Sequence, residues 1–351
     1  MSHKLIFFCQ SASQEDPIVA DTIQKIESLA NRSEISHIFV LSLRGSVGKN
    51  TKKISFYDVG SNVSKFKKLY LLFSTVIKIC REHKIKSCFL YMTPTILPFF
   101  WCMKPFFKFK VVAWFAHTYF NLKTRICLKY FCDKWVSIDK AQILNYPHVK
   151  IIGQGVDTFL FAPIIQNKKT DLLTVGRITP VKKIELIFQA MNLLNFKGLK
   201  TTLTIVGDAY LPDDQKYKNK LLKMIIELKL NEQVMWAGSI KRNSLPDFYS
   251  GAKVIVFPVR GGIGKVTVEA LSCGIPVVIN DPKAHEFLGE KLSNLFIASD
   301  DPELMASRIE SLLLLNTSDY QNLSLECRQL ILNKHSIEKF TERLSLQLTT
   351  N

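Results

Sequence analysis

The sequence predicts an α/β protein of two doubly wound parallel sheets, and three observations carry that expectation. Short uninterrupted apolar runs recur from end to end, as strands covered on both faces require. Amphipathic stretches of helical period separate them. The alternation breaks once, at residues 153–171 (GQGVDTFLFAPIIQNKKTD), where glycines, a proline and a polar run interrupt it. A chain of 351 residues is long enough for two domains, each with its own core.

In chain order the expected strands are LIFFC, ISHIFVLSL, SCFLYM, KVVAWFAH, KWVSID and VKIIG before the break. LLTVG, TTLTIVG, QVMWAGSI, VIVFPV and PVVIN follow it. Helical spacing marks residues 18–30, 65–81, 182–193, 215–228 and 302–315. The stretch 87–103 (SCFLYMTPTILPFFWCM) is uncharged but, at 17 residues and with Pro94 and Pro98, is too short and too interrupted for a membrane span. It reads as a buried strand over 88–92 and a proline-started apolar helix. Ser336 followed by Glu338, with Ile337, Phe340 and Leu344 at helical spacing, marks a terminal helix. The expected domains are 1–157 and 158–335, with 336–351 a helix able to cross back to the first.

Composition narrows the class. Hydrophobic residues make up 47% and charged residues 22%, as in globular proteins, which excludes disorder as the default. The first residues hold too short an apolar run for a secretory signal, and eight cysteines without a CxxC pair read as buried thiols in a reducing compartment. A cytoplasmic location is expected. The net charge is +17 and lopsided: residues 1–160 carry 23 Lys and Arg against 10 Asp and Glu, the remainder 24 against 20. Between positions 44 and 134 basic side chains interleave with aromatics, as in SKFKKLYLLF and KPFFKFK. That pairing suits peripheral contact with an anionic membrane, at its cytoplasmic face. No nucleic-acid motif accompanies the charge, so nucleic acid is not expected as a partner. A plain solvated basic surface is the other reading.

Ligands of doubly wound sheets bind beyond the carboxyl ends of the strands. After LLTVG come Arg177 and Lys182, five apart across Pro180. Two cations there would offset the charges of a diphosphate, Arg as a planar fork and Lys as a point charge. A basic pair after a strand is also an ordinary solvated loop. After VIVFPV, the run GGIGKVTVEALSCGIPVV brings Gly261, Gly262, Ile263, Gly264 and Lys265 to the start of a helix, where bare amides and the helix dipole favour an anion. Glu269 lies one turn inside. Its carboxylate only accepts hydrogen bonds and would match the vicinal hydroxyls of a ribose; a helix-terminus acid is the alternative.

These segments, with LTIVGDA, VMWAGSI and GQGVDTFLFAP, together resemble the successive landmarks of the GT-B retaining glycosyltransferases of family 4, in order over residues 149–315. The resemblance implies a nucleotide-sugar domain in the second half and an acceptor domain in the first, facing each other across a cleft. It implies metal-free transfer from a UDP or GDP sugar, with retention, to a glycan or glycolipid acceptor, and no cofactor beyond that donor. It places Arg177 and Lys182 on the diphosphate-binding pair, Glu269 on the ribose-binding second glutamate of an E-x7-E motif, and His117, after the strand KVVAWFAH, on the histidine that contacts the donor sugar; a hydrogen-bonded core histidine is the alternative reading of His117.

Departures from the pattern matter. The first glutamate of that motif is replaced by Gly261, and Lys265 stands where an aliphatic residue is usual. Ser11 and Ser13 stand where a glycine pair is common after the first strand. Glu286 resembles a downstream acid of the family, or is a solvated loop acid. RGSVGKNTKK lacks the spacing of a phosphate loop and reads as a turn. A glycosyltransferase fold that binds a membrane or partner without turnover is the competing class; a nucleotide-sugar epimerase would need an acid and base set that the sequence does not show.

Overall fold

The computed structural model of the chain describes residues 3–13, 21–45, 48–61, 63–116, 121–138, 149–260 and 263–350. The chain divides into two compact units, one of Met1–Asp157 with Ser336–Asn351 and the other of Thr158–His335.

The first unit runs β1 (His3–Cys9), α1 (Thr22–Ala30), β2 (Ile35–Ser42), β3 (Ile54–Asp58), α2 (Lys65–Glu82), β4 (Ser87–Tyr91), α3 (Leu97–Phe107), β5 (Lys110–Trp114), α4 (Leu122–Tyr130), β6 (Lys134–Ser137) and β7 (Val149–Ile151). Its strands among the described residues pair in parallel in the order β3-β2-β1-β4-β5-β6-β7. The continuous apolar run of β1 follows from its central place. Leu5, Phe7 and Cys9 enter one core with α1, while Ile6 and Phe8 enter the opposite core with Leu72 and Val76 of α2, Phe100 of α3 and Leu128 of α4. Strand β3 was not expected from the sequence. Lying at the sheet edge, it buries only Ile54 fully, so ISFYD lacks the apolar continuity that marks the inner strands.

The 87–103 stretch resolves into β4, a 3-10 turn at Pro94–Ile96 and α3, with Met92 at φ 57° ending the strand. No helix among the described residues is long and apolar enough to cross a membrane. Side-chain caps fix two further helix starts: Ser64 accepts from Lys67 N before α2, and Asn121 from Thr124 N before α4.

The second unit runs β8 (Thr170–Val175), α5 (Ile184–Phe196), β9 (Leu203–Val206), α6 (Pro212–Glu227), β10 (Val234–Gly238), α7 (Leu245–Ser250), β11 (Ala252–Phe257), α8 (Lys265–Ser272), β12 (Val277–Ile279), α9 (His285–Leu288), α10 (Glu290–Phe296), α11 (Pro302–Leu313) and α12 (Thr317–Lys334). Its parallel sheet has the order β10-β9-β8-β11-β12, so strand order reverses direction between β8 and β11. Helix α12 was not foreseen. It buries only Leu323, Cys327 and Ile331, a stripe too narrow to stand out in the sequence.

The last helix, α13 (Ile337–Thr349), belongs to the first unit. Ser336 caps it by accepting from Lys339 N at 3.3 Å, and Phe340, Leu344 and Leu348 complete the core that holds α1. Beneath it Lys25 of α1 is buried, ion-paired to Asp21, bonded to Tyr91 Oη at 3.0 Å and boxed by the rings of Tyr91, Trp114 and Phe340.

Candidate functional site

Three adjacent strands of the second unit end in glycine. Gly176 follows β8, Gly207 follows β9 and Gly238 closes β10, at φ 135°, 133° and 69°. A Cβ on Gly207 would lie 2.0 Å from Gly176 O, so the two chains pass backbone to backbone and a side chain there is excluded. The carboxyl edge of this sheet is therefore bare main chain, from which the charged loops depart.

Arg177 and Lys182 leave from β8. Pro180 opens a 3-10 turn, Pro180–Lys182, and Lys183 at φ 48° separates it from α5. The sequence placed the helix start at Lys182; the left-handed Lys183 moves it to Ile184 and leaves Lys182 on the turn. The Lys182 stem lies against Gly176, where a Cβ would come 3.2 Å from both Cε and Nζ. Its ammonium sits 4.3 Å from the centre of the Phe257 ring, at the end of β11.

From the other side of the switch point, Gly264 caps α8 with ordinary extended backbone, φ −77°. What keeps it small is the same ring: a Cβ there would lie 3.3 Å from Phe257 Cε1. Phe257 is thus the floor shared by the cationic loop of β8 and the helix start after β11. Strand order reverses between these strands, where a crevice opens in sheets of this kind.

Burial, and then the neighbouring Arg177, lower the Lys182 ammonium to about 8. No acidic group pairs with Lys182 among the described residues, whereas Arg177, half exposed, stands 3.9 Å from Asp214 Oδ2. Two cations crowd together here, a cost that a bound anion would relieve.

Glu269 lies one turn into α8 and is buried. One carboxylate oxygen accepts from Tyr249 Oη at 3.0 Å and the other faces Arg242 Nη2 at 3.6 Å. Burial and then the charge of Glu269 push the Tyr249 phenol well above its usual range, so it stays a hydrogen-bond donor. Each carboxylate oxygen has two lone pairs and can accept more than one hydrogen bond.

Ile263 is buried before α8, and Lys265 opens that helix half-buried. Ser11 is buried beyond β1 and Ser13 half-buried. Glu286 is exposed on the short α9. His117, Gly261 and Gly262 lie outside the described residues. The structure thus gathers Lys182 and Gly264 around Phe257, with Arg177 near enough for its charge to act on Lys182 and Glu269 one turn beyond Gly264 on α8.

Sequence reasoning missed Phe257, Tyr249, Arg242 and a second charge cluster. Asp300 accepts from Lys183 at 2.6 Å, Arg260 at 2.9 Å and Asn280 at 3.0 Å, which joins the loops of β8, β11 and β12. Burial opposes its charge, but the bonds from Lys183 and Asn280 hold its carboxyl below the usual range. The signal for Arg242 was available, since SIKRN, like GRITPVKK, sets cations just after a strand.

Residues 156–329 match the model of the family described as glycosyl transferases group 1. The chain is 30% identical over 180 residues to the O-antigen chain mannosyltransferase RfbU of Salmonella typhimurium, covering 50% of this chain and 47% of that one. It is 26% identical to the lipopolysaccharide 1,2-N-acetylglucosaminetransferase of the same organism, over 52% and 49% of the two chains. These matches span about half the length of the curated relatives. Among solved structures, Anabaena HepE in complex with UDP superposes with TM-score 0.78 over 99% of this chain and 100% of that one, at 15% identity. Sucrose-phosphate synthase from Thermosynechococcus elongatus gives 0.78 over 98% of both, at 14%. Two Rossmann-like parallel-sheet units of the GT-B fold are the architecture of this chain.

Proposed function

We propose that this chain, matched over residues 156–329 by the group 1 glycosyl transferase family, moves a sugar from a nucleotide diphosphate sugar to a hydroxyl of a glycan or glycolipid acceptor, with retention at the anomeric carbon. The carrying observation is the meeting of Lys182 and the Gly264 helix start at Phe257, with the charge of Arg177 acting on Lys182, at the switch point of the second sheet. In this reading the two cations neutralise the diphosphate. As the bond to the sugar breaks, they and the helix dipole stabilise the charge that grows on the departing phosphate, without a bound metal. Glu269 accepts from the ribose hydroxyls while Tyr249 and Arg242 hold its carboxylate in place. His117 meets the transferred sugar.

UDP and GDP are the candidate nucleotides. Similar proteins named for O-antigen chains and lipopolysaccharide support a cell-surface glycan or glycolipid acceptor. The basic, aromatic first half goes with a place at the cytoplasmic face of a membrane. One observation favours a second reading, nucleotide binding without turnover: Gly261 stands where the resemblance implies an acid against the transferred sugar.

Thermal unfolding of the full chain with UDP and GDP sugars tests the donor site, and release of free sugar to water tests turnover. A rise of several degrees with one nucleotide family, together with sugar release, is the expected result. A rise without release supports the second reading. No shift with any donor contradicts both.

A further inference from the structure

An amphipathic surface helix normally spends its apolar stripe on the core. Helix α2 does so with Leu72, Val76 and Ile79, and then carries a second stripe facing outward. Phe66, Leu69, Tyr70 and Phe73 repeat at i, i+3, i+4 and i+7, so they share one face, with Phe66 90% and Tyr70 67% exposed. Helix α4 repeats the arrangement with Leu122, Ile126 and Tyr130 exposed at intervals of four. Helix α3 lies against both: the Phe73 and Phe99 rings meet at 6.3 Å, and α3 packs on α4. All three helices cover the same face of the first sheet, so the two stripes belong to one outer layer.

Charge accompanies the apolar side chains. Across α2, α3 and α4 there are nine Lys and Arg and a single acid, Glu82. Lys67, Lys68, Lys123, Arg125 and Lys129 alternate with the exposed rings and aliphatics. A face for another protein or for a second copy of this chain would bring its own acids or a charge-poor apolar centre. Lys104 pairs with Asp133, but no acid pairs with Lys67, Lys68, Lys123 or Lys129 among the described residues, and rings set among such lysines suit instead a surface that is negative outside and hydrocarbon just beneath.

We infer that the outer face of α2, α3 and α4 is a docking surface for an anionic lipid bilayer. The aromatic and aliphatic tips enter the headgroup boundary, the lysines remain at the phosphate level, and the contact is peripheral. The inference sharpens the charge pattern read from the sequence and does not rest on the donor site, because the surface lies wholly in the first unit.

Sedimentation of the full chain with vesicles tests it, using phosphatidylcholine alone and an equal mixture of phosphatidylcholine and phosphatidylglycerol. Binding to the mixed vesicles, weak binding to the neutral ones, and loss of binding in high salt are expected. The double variant Phe66→Ser/Tyr70→Ser should bind the mixed vesicles about tenfold or more weakly, since both side chains are exposed and their apolar area is what enters the lipid. Lys67→Glu/Lys68→Glu should do the same by charge alone. Both variants should keep the wild-type unfolding temperature. Equal binding to both vesicle types, no binding, or unaltered binding by both variants would overturn the inference. So would self-association of the chain that these variants abolish without any vesicle binding. Vesicle binding without stabilisation by any nucleotide sugar would sink the donor site and leave this surface standing.

Discussion

Two lysines, one in each unit, meet opposite fates. Lys25 lies within α1, the helix that follows β1, and Lys182 on the turn between β8 and α5. Lys25 is 1% exposed and satisfied from within, by Asp21, by Tyr91 Oη and by a box of three rings. Lys182 has a ring beneath it and a like charge beside it, and no acid pairs with it among the described residues. A buried cation with its counter-charge supplied by the fold holds the fold together. One crowded by another cation is left for an anion from outside.

The largest expected effect lies in the first unit. Lys25→Ala leaves Asp21 buried without its cation and should destabilise the first unit by about 3–5 kcal/mol in denaturant unfolding, whereas Lys25→Met with Asp21→Asn should cost far less. A small loss for the single variant would erase the contrast between the two lysines. Next comes Glu269. Because Tyr249 and Arg242 both rely on its carboxylate, Glu269→Ala should lower stability by about 1–3 kcal/mol besides weakening nucleotide binding. Equal melting of variant and wild type would show that the carboxylate is held for the ligand alone.

Lys182→Ala should leave the melting temperature nearly unchanged, because it removes a cation that the fold does not neutralise. It should weaken UDP or GDP binding about tenfold to a hundredfold, the worth of a charge-assisted hydrogen bond. Titration calorimetry separates the two effects. The smallest effect is on pH. The folded Lys182 loses its proton through about pH 8, below the usual lysine range, and a bound diphosphate favours the charged form. Nucleotide affinity should therefore be level below pH 7 and fall as pH rises through 8. The same lowered value means that the unfolded chain holds this proton more tightly, so this group alone adds stability as pH rises above 8. A flat affinity profile from pH 7 to 9 would remove Lys182 from the site.

Much of the architecture was legible because the inner strands are buried on both faces and read as unbroken apolar runs; LIFFC and VIVFPV are examples. Edge strand β3 and the thinly buried α12 were not, since a segment packed on one side needs no such run. At the site, Arg177, Lys182 and Gly264 could be picked out by their positions after strands. Phe257 could not. Its role depends on two loops more than eighty residues apart arriving at one ring, and within VIVFPV it looks like any core aromatic. Glu269 was legible as a lone acid early in a helix, but its enclosure by Tyr249 and Arg242 is a property of packing across α7, the preceding 3-10 turn and α8.

Counting protons on nucleotide binding tests the central claim most directly. With the Lys182 ammonium lowered to about 8, calorimetry of UDP or GDP binding in buffers of different ionisation enthalpy should register proton uptake that grows as pH rises from 7 to 9. In Lys182→Ala that uptake should vanish while weak binding persists. Binding with the same proton uptake in both chains, or no binding at all, would contradict the account.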